Sequence, residues 1–250
     1  MSFFLAFDHA LHQLVPHHEN EAVLEQLIEC MDLTLLDKSA TAAQLEHLST
    51  QARQYSIAAI CVYPEHLSFF NPLAYNLATV VNFPDGTDDV KSICDEIEKA
   101  ILHGASEIDY VFPYRKYLKG EHVEALAQAQ EIFNFCHQKE LLTKIIIETG
   151  AFTDITLLYH LAQQLITMGW HFLKTSTGKI SQGASLTAVT CLLAAIYESK
   201  ISCGLKVSGG IRTITQAKEY LALAEKILGK KACKTWFRLG ASSLISKITV

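Results

Sequence analysis

From Ile57 onward, short β-branched and apolar runs alternate with longer stretches in which apolar residues recur every three or four positions, the pattern of successive βα units on a parallel sheet. The runs predict strands at 57–63, 78–83, 107–112, 143–148, 171–175, 204–207 and 235–239. An earlier run, 30–35, supplies an eighth, and a helix over about 20–29 precedes it and would cover one end of the sheet. Between strands, Val90, Ile93, Ile97, Ala100 and Ile101 share one helical face. So do Ile155, Leu158, Ala162 and Leu165, and later Ile214, Ala217, Leu221, Ala224 and Leu228. Gly104, Gly169 and Gly229 follow these three segments as helix stops. Strand starts recur at nearly even spacing without a Pro/Gly/Ser-rich linker, so the 250 residues are expected to form one domain. Eight strands, each followed by a helix, is the arithmetic of a (β/α)8 TIM barrel, here with an extra N-terminal helix. A doubly wound open sheet is the rival, but its first strand-to-helix turn would carry GxGxxG and its polar groups would gather at one switch point. The chain has neither feature.

In a barrel, function sits at the C-terminal ends of the strands and in the loops that follow. Near those ends the sequence places Asp32, Thr34, Cys61, Asn82, Asp109, Lys144, Lys174 and Lys206. A single lysine there can snorkel to water, but three on consecutive strands facing an aspartate are destabilised by desolvation unless they are paired or used. Imine formation uses such an arrangement, because an amine must be neutral to attack a carbonyl and at a pKa of ~10.4 only about one lysine in 2,500 is neutral at pH 7. Two ammonium groups ~4.8 Å apart on neighbouring strands repel by about 3.5 kcal/mol at an effective dielectric of ~20, enough to bring one pKa to about 8. One lysine would attack and another would hold its pKa down, with Asp109 suited to proton transfer. The residues alone leave open which lysine does which.

A second signal is anion binding. Thr175 to Lys179 (TSTGK) follow strand six, Ser208, Gly209 and Gly210 follow strand seven, and Gly240, Ala241, Ser242 and Ser243 follow strand eight as a short helix begins. Backbone amides at such turns cradle phosphate, and Lys179 and Arg212 are cations close by.

Composition narrows the partners. Half of the residues are apolar, and 21 Lys and Arg stand against 26 Asp and Glu, a net charge of -5 without a basic stripe, so nucleic acid is not expected. Apolar runs stop near seven residues, against the roughly 18 that a membrane span needs. Residues 1–10 lack the basic start of a signal peptide, and none is expected. The seven cysteines occur singly, without CxxC, and read as free thiols of a reducing cytoplasm. His9, His12, His17 and His18 read as surface histidines rather than metal ligands, and Cys61 as a packed thiol.

The stretches MDLTLL (31–36), AAICVYP (58–64), TVVNFPDG (79–86), EIDYVFPYR (107–115), KIIIETG (144–150), FLKTSTGK (172–179), GLKVSGGIRT (204–213) and RLGASS (238–243) resemble deoxyribose-phosphate aldolases, in order and through the whole barrel. The resemblance implies metal-independent, cofactor-free cleavage of 2-deoxy-D-ribose 5-phosphate to D-glyceraldehyde 3-phosphate and acetaldehyde, in deoxyribonucleotide catabolism. By motif position it makes Lys174 the Schiff-base nucleophile, Lys206 the lysine that lowers its pKa, Asp109 the proton-transfer partner and Lys144 a further active-site lysine. It assigns the phosphate to Thr177, Gly178, Lys179, Gly209, Gly210, Ser242 and Ser243, with Arg212 peripheral, and lines the pocket with Asp32, Thr34, Cys61 and Asn82. It also implies a homodimer. The strand-seven motif departs from the family's, with Val207 and Ser208 where Pro and Ala are usual. Some members carry a C-terminal tyrosine tail that assists proton transfer; here SKITV stands at the end, and Asp109, Lys206 and water are expected to do that work. Two alternatives remain: a Schiff-base aldolase or transaldolase with a ketone donor, and a catalytically silent sugar-phosphate-binding barrel.

Overall fold

The computed structural model describes residues 14–15, 20–70, 74–242 and 244–248. The histidines at 9, 12, 17 and 18, residues 1–10 and Ser243 lie outside them. Eight parallel strands close into a barrel in sequence order: β1 (Met31–Leu35), β2 (Ala59–Val62), β3 (Leu77–Val81), β4 (Glu107–Val111), β5 (Leu142–Ile146), β6 (Phe172–Lys174), β7 (Gly204–Ser208) and β8 (Phe237–Ala241). Helices follow the strands, among them α2 (Ala42–Gln54), α3 (Val90–Leu102), α4 (Tyr114–Leu118), α5 (His122–Gln138), α6 (Ile155–Met168), α7 (Leu186–Ser199) and α8 (Ile214–Leu228). The helix before β1, α1 (Glu21–Glu29), is capped by the Asn20 side chain and packs on α8, where Gln26 donates to Glu225 and to the Ala232 carbonyl.

Alternation along each strand sorts the side chains. Leu33, Ile60, Val62, Ile108, Tyr110, Ile145, Leu173, Leu205, Val207 and Leu239 join the large core between barrel and helices. The inward set divides in two. On β2 and β3 it is small and apolar, with Ala59, Cys61, Ala78 and Val80 forming their own cluster. Around the rest of the barrel it is mostly charged: Asp32, Glu107, Asp109, Lys144, Lys174, Lys206 and Arg238 are all buried.

Strand bounds differ from the sequence expectation where turns intervene. β8 begins two residues later than expected, because the Trp236 and Phe237 amides donate to the Cys233 carbonyl and hold Thr235 in a turn. Gly240 and Ala241 therefore lie within β8 rather than after it. β5 stops at Ile146, and Glu148 adopts a left-handed conformation (φ 60°, ψ 60°) that opens a 3-10 turn at Thr149–Ala151.

At the N-terminal end of the interior, Phe172 faces Gly204 across the β6–β7 pair, and the Arg238 guanidinium lies 5.4 Å from the Phe172 ring centre. A Cβ at Gly204 would lie 2.5 Å from the Phe172 ring and 2.7 Å from the Trp236 carbonyl oxygen. Gly204→Ala is therefore expected to destabilise the fold by about 1–3 kcal/mol, as overpacking of a filled core does. Thermal denaturation should show Tm falling by roughly 2–4 °C for each kcal/mol; an unchanged Tm would mean that the ring yields freely.

Candidate active site

The charged half of the interior is organised around Asp109. One carboxylate oxygen, Oδ1, accepts from Lys144 Nζ at 2.9 Å, and the other, Oδ2, accepts from both Lys174 and Lys206 at 2.7 Å. The register makes this possible, since Asp109 pairs with Lys144, and Lys174 with Lys206. Two amines each 2.7 Å from one oxygen are at most 5.4 Å apart (2.7 plus 2.7). Asp32 joins from β1, with Oδ2 2.5 Å from Lys206 and 3.6 Å from Lys144.

These contacts separate the three lysines. Burial disfavours every ammonium, but carboxylates on more than one side outweigh it for Lys144 and Lys206 and raise both pKa values. Lys174 has Asp109 alone, shared with Lys206, so burial wins, the Lys206 charge adds to it, and its pKa falls below the ordinary lysine value. The depression thus comes first from desolvation and only second from the neighbouring ammonium. Burial also opposes ionisation of Asp109, yet the three ammonium groups hold its carboxyl well below the usual range. Cys61 places Sγ 3.9 Å from Asp109 Oδ2, and burial pushes its thiol up, which keeps it protonated.

Above the cluster opens a cavity of about 460 Å³, with Lys174 and Lys206 at one end. Its other walls include Thr34, Thr177, Gly178, Lys179, Gly209, Gly210, Gly240 and Ser242, with Arg212 and Lys247 at the rim. Gly178, Gly209 and Gly210 have φ of 76°, 87° and 84°, left-handed values at which a side chain would be strained. Gly240 is needed for space: a Cβ there would come within 2.9 Å of Ser208 Cβ and 3.2 Å of Lys206 Cε. Lys179 crosses the mouth, its Nζ donating to the Leu36 carbonyl at 2.7 Å. The TSTGK loop is tied to β7, since Ser208 Oγ donates to the Ser176 carbonyl at 2.6 Å and the Ser208 amide to Thr175 Oγ1 at 2.9 Å. The departure at Ser208 therefore adds a bond between the two loops.

Most residues singled out from sequence meet here, with qualifications. Asp32, Cys61, Asp109 and Lys144 lie wholly buried beneath the cavity, so Asp32 and Cys61 do not line it as expected, whereas Thr34 does, its hydroxyl donating to the Asp32 carbonyl. The Thr177 hydroxyl is engaged by Glu148, which also accepts from the Thr177 amide. Asn82 is not brought to the cavity. Its amide donates to the Val111 carbonyl and its oxygen accepts from the Asp88 amide, so it shapes the loop beyond β3.

Three buried residues were not singled out. Glu107 stands two residues before Asp109 and Arg238 two before Gly240, so strand alternation was a sufficient signal for both. Arg238 Nη1 lies 2.6 Å from Asp32 Oδ1, Arg238 Nη2 lies 3.3 Å from Glu107 Oε1, and Lys144 lies 2.5 Å from Glu107 Oε2. Glu148 had no such signal, because its place depends on a left-handed backbone outside any regular element.

The family model described as DeoC/LacD family aldolase matches residues 26–244. The deoxyribose-phosphate aldolase of Agrobacterium fabrum (strain C58) is 37% identical over 229 residues, 88% of each chain. Among solved structures, a protein of Coccidioides immitis assigned as a deoxyribose-phosphate aldolase superposes with a TM-score of 0.80 at 23% identity, covering 100% of this chain and 97% of that one. The tetrameric deoxyribose phosphate aldolase of Aeropyrum pernix gives 0.74 at 23% identity, over 97% and 94%. Those two likenesses are of fold; with the sequence match over most of its length added to them, the chain belongs to the DeoC/LacD family of aldolases.

Proposed function

We propose that the protein is a class I aldolase that reversibly cleaves 2-deoxy-D-ribose 5-phosphate to D-glyceraldehyde 3-phosphate and acetaldehyde through an imine on Lys174. The observation that carries this reading is the inequality of the two lysines that line the cavity. Lys174 is held below the ordinary lysine pKa while Lys206, sharing the same Asp109 oxygen, is held above it. The lysine that gives up its proton more readily thus sits beside one that keeps it.

Neutral Lys174 adds to the C1 aldehyde, and the carbinolamine hydroxyl, given a proton by Lys206 directly or through water, leaves as water to give a cationic imine that accepts the electron pair of the C2–C3 bond. A base then takes the C3 hydroxyl proton, the C2–C3 bond breaks, and glyceraldehyde 3-phosphate departs from the enamine of acetaldehyde. Protonation at C2 and hydrolysis of the imine release acetaldehyde and regenerate the amine. Asp109 and Lys206, joined at 2.7 Å, form the proton-transfer pair, directly or through water. Lys144 has no place on the cavity wall and acts through Asp109, whose Oδ1 it holds. The phosphate occupies the glycine-rich wall at Gly178, Gly209, Gly210 and Ser242, with Lys179 and Arg212 supplying charge. Every group invoked belongs to one barrel, so the chemistry is expected of a homodimer or a tetramer as of one chain. A reducing, cytoplasmic setting suits the seven unpaired cysteines, and among the described residues no helix is long and apolar enough to cross a membrane.

Incubation with acetaldehyde or deoxyribose 5-phosphate followed by borohydride should leave a two-carbon adduct on the peptide bearing Lys174, absent in Lys174→Ala. An adduct on Lys206 or Lys144 would reassign the nucleophile, a three-carbon adduct from dihydroxyacetone in place of the two-carbon one would point to a ketone donor, and no adduct would leave a silent binding barrel.

Because only the neutral amine reacts, the rate of imine formation should rise with pH and level off at an apparent pKa below that of free lysine; levelling at or above about 10.4 would contradict the depressed pKa of Lys174. Asp109→Asn should slow turnover by about 10²-fold or more, the usual worth of a general acid–base group, while an adduct still forms. Full activity in that variant would sink the role given to Asp109. Lys179→Ala should raise KM for deoxyribose 5-phosphate roughly 10- to 100-fold, as loss of a charged hydrogen bond does, and leave unphosphorylated deoxyribose unaffected; equal effects on both sugars would move the phosphate elsewhere.

A further inference from the structure

The lysine cluster has a lower tier that the cleavage mechanism does not use. Arg238 reaches from β8 toward β1 and β4 and lies against Asp32 and Glu107 at once, both side chains almost wholly enclosed. Glu107 in turn holds Lys144, and Asp32 holds Lys206 and Lys144. The interlocked groups are four cations, Lys144, Lys174, Lys206 and Arg238, and three carboxylates, Asp32, Glu107 and Asp109. Full ionisation leaves one positive charge in excess in a space with almost no access to water. Within this cluster Lys174 is the cation whose ion pair is with a single carboxylate, and it borders the cavity through which a proton can leave.

We propose that Arg238 and Glu107 are positioning residues that set the charge balance of this cluster: the guanidinium, by occupying Asp32 and Glu107, leaves Lys174 with Asp109 alone and makes the Lys174 proton the one in excess. Neither residue touches the cavity. Both act through their neighbours, Arg238 through Asp32 and Glu107 through Lys144. The other titratable groups that face Lys174 are Cys61 from β2, a neutral thiol, Lys206 from β7, and Glu148 beyond β5. Glu148 is held by Thr177 and is common to all the variants compared below. In register Lys174, Lys206 and Arg238 stand side by side on β6, β7 and β8. Two strand spacings, about 10 Å at an effective dielectric of about 20, let one unit charge move the pKa of Lys174 by about one pH unit.

The consequence for catalysis rests on the imine reading of Lys174, but the test does not. The apparent pKa of Lys174 can be read in the intact protein from the pH dependence of its reductive methylation by formaldehyde and cyanoborohydride, followed on the Lys174 peptide by mass spectrometry. Arg238→Met should raise that pKa by about one pH unit and slow labelling about tenfold below it. Glu107→Gln should lower it by a similar amount. The double variant R238M/E107Q removes one charge of each sign and should return to the wild-type value, as should Arg238→Lys. A merely structural role predicts otherwise: single variants that shift together or not at all, or a double variant worse than either, would overturn the proposal. Removal of one member of a buried ion pair can unfold a protein, so Glu107→Gln and the double variant decide the matter if Arg238→Met does not fold. Acetaldehyde release assayed on the same samples keeps the two ideas apart: expected labelling shifts in a protein that releases none would retain the charge balance and reject the aldolase reading.

Discussion

Three lysine amines converge on the two oxygens of Asp109 in a space almost closed to water. Withdrawal of an ion from water is unfavourable by several kcal/mol even after the protein relaxes, so no member of this cluster is tolerable alone. Asp109 is the group on which the others depend, since it is the carboxylate that all three lysines reach. Its charge is held in place by them, and they by it. This mutual dependence also produces the asymmetry on which chemistry can act. A cation with several carboxylates keeps its proton more firmly than free lysine, and a cation with one shared oxygen keeps it less firmly. The same burial therefore has opposite outcomes at Lys206 and Lys174, two neighbours in register.

The barrel supplies what such a cluster requires. Successive inward positions from β4 to β8 bring charges of both signs within ion-pair distance while the backbone remains fully paired in the sheet. On β2 and β3 the inward residues are small and apolar, so that wall bears no competing charge and presents only the neutral Cys61 thiol to Asp109. Phe172 and Arg238 fill the interior at its N-terminal end, and Gly204 is required to admit the ring. Filled at one end and open at the other, the interior exposes Lys174 to the cavity alone.

Much of this is legible in the sequence because period-two and period-3.6 patterns are local. The eight strands, the helix before β1 and the placement of Lys144, Lys174, Lys206 and Asp109 near strand ends follow from them. Less legible is whatever depends on tertiary partners. Asn82 stands at the end of β3 as expected, but its left-handed backbone turns the amide to the Val111 carbonyl instead of the cavity. The ordering of the lysine pKa values was also out of reach, since it depends on how many carboxylates each amine meets, and two of those groups come from strands distant in sequence. Glu107 and Arg238 were readable by alternation from Asp109 and Gly240, yet an ion pair between β4 and β8 spans the barrel, and only closure of the sheet brings its ends together.

Closure also explains why the glycine-rich wall and the lysines can be so near without disturbing one another. The TSTGK loop leaves β6 directly after Lys174, and the glycine turn leaves β7 two residues after Lys206. Bonds from Ser208 to Ser176 and Thr175, and from Thr177 to Glu148, hold the two loops to each other and to the end of β5. A phosphate placed on their amides is then at a fixed remove from the Lys174 amine, and binding energy gained at one end of a sugar phosphate can orient the carbonyl at the other. The cations near that wall, Lys179 and Arg212, come from loops rather than from strand interiors, so their charges are partly exposed to solvent and the excess positive charge of the buried cluster is left to act on Lys174.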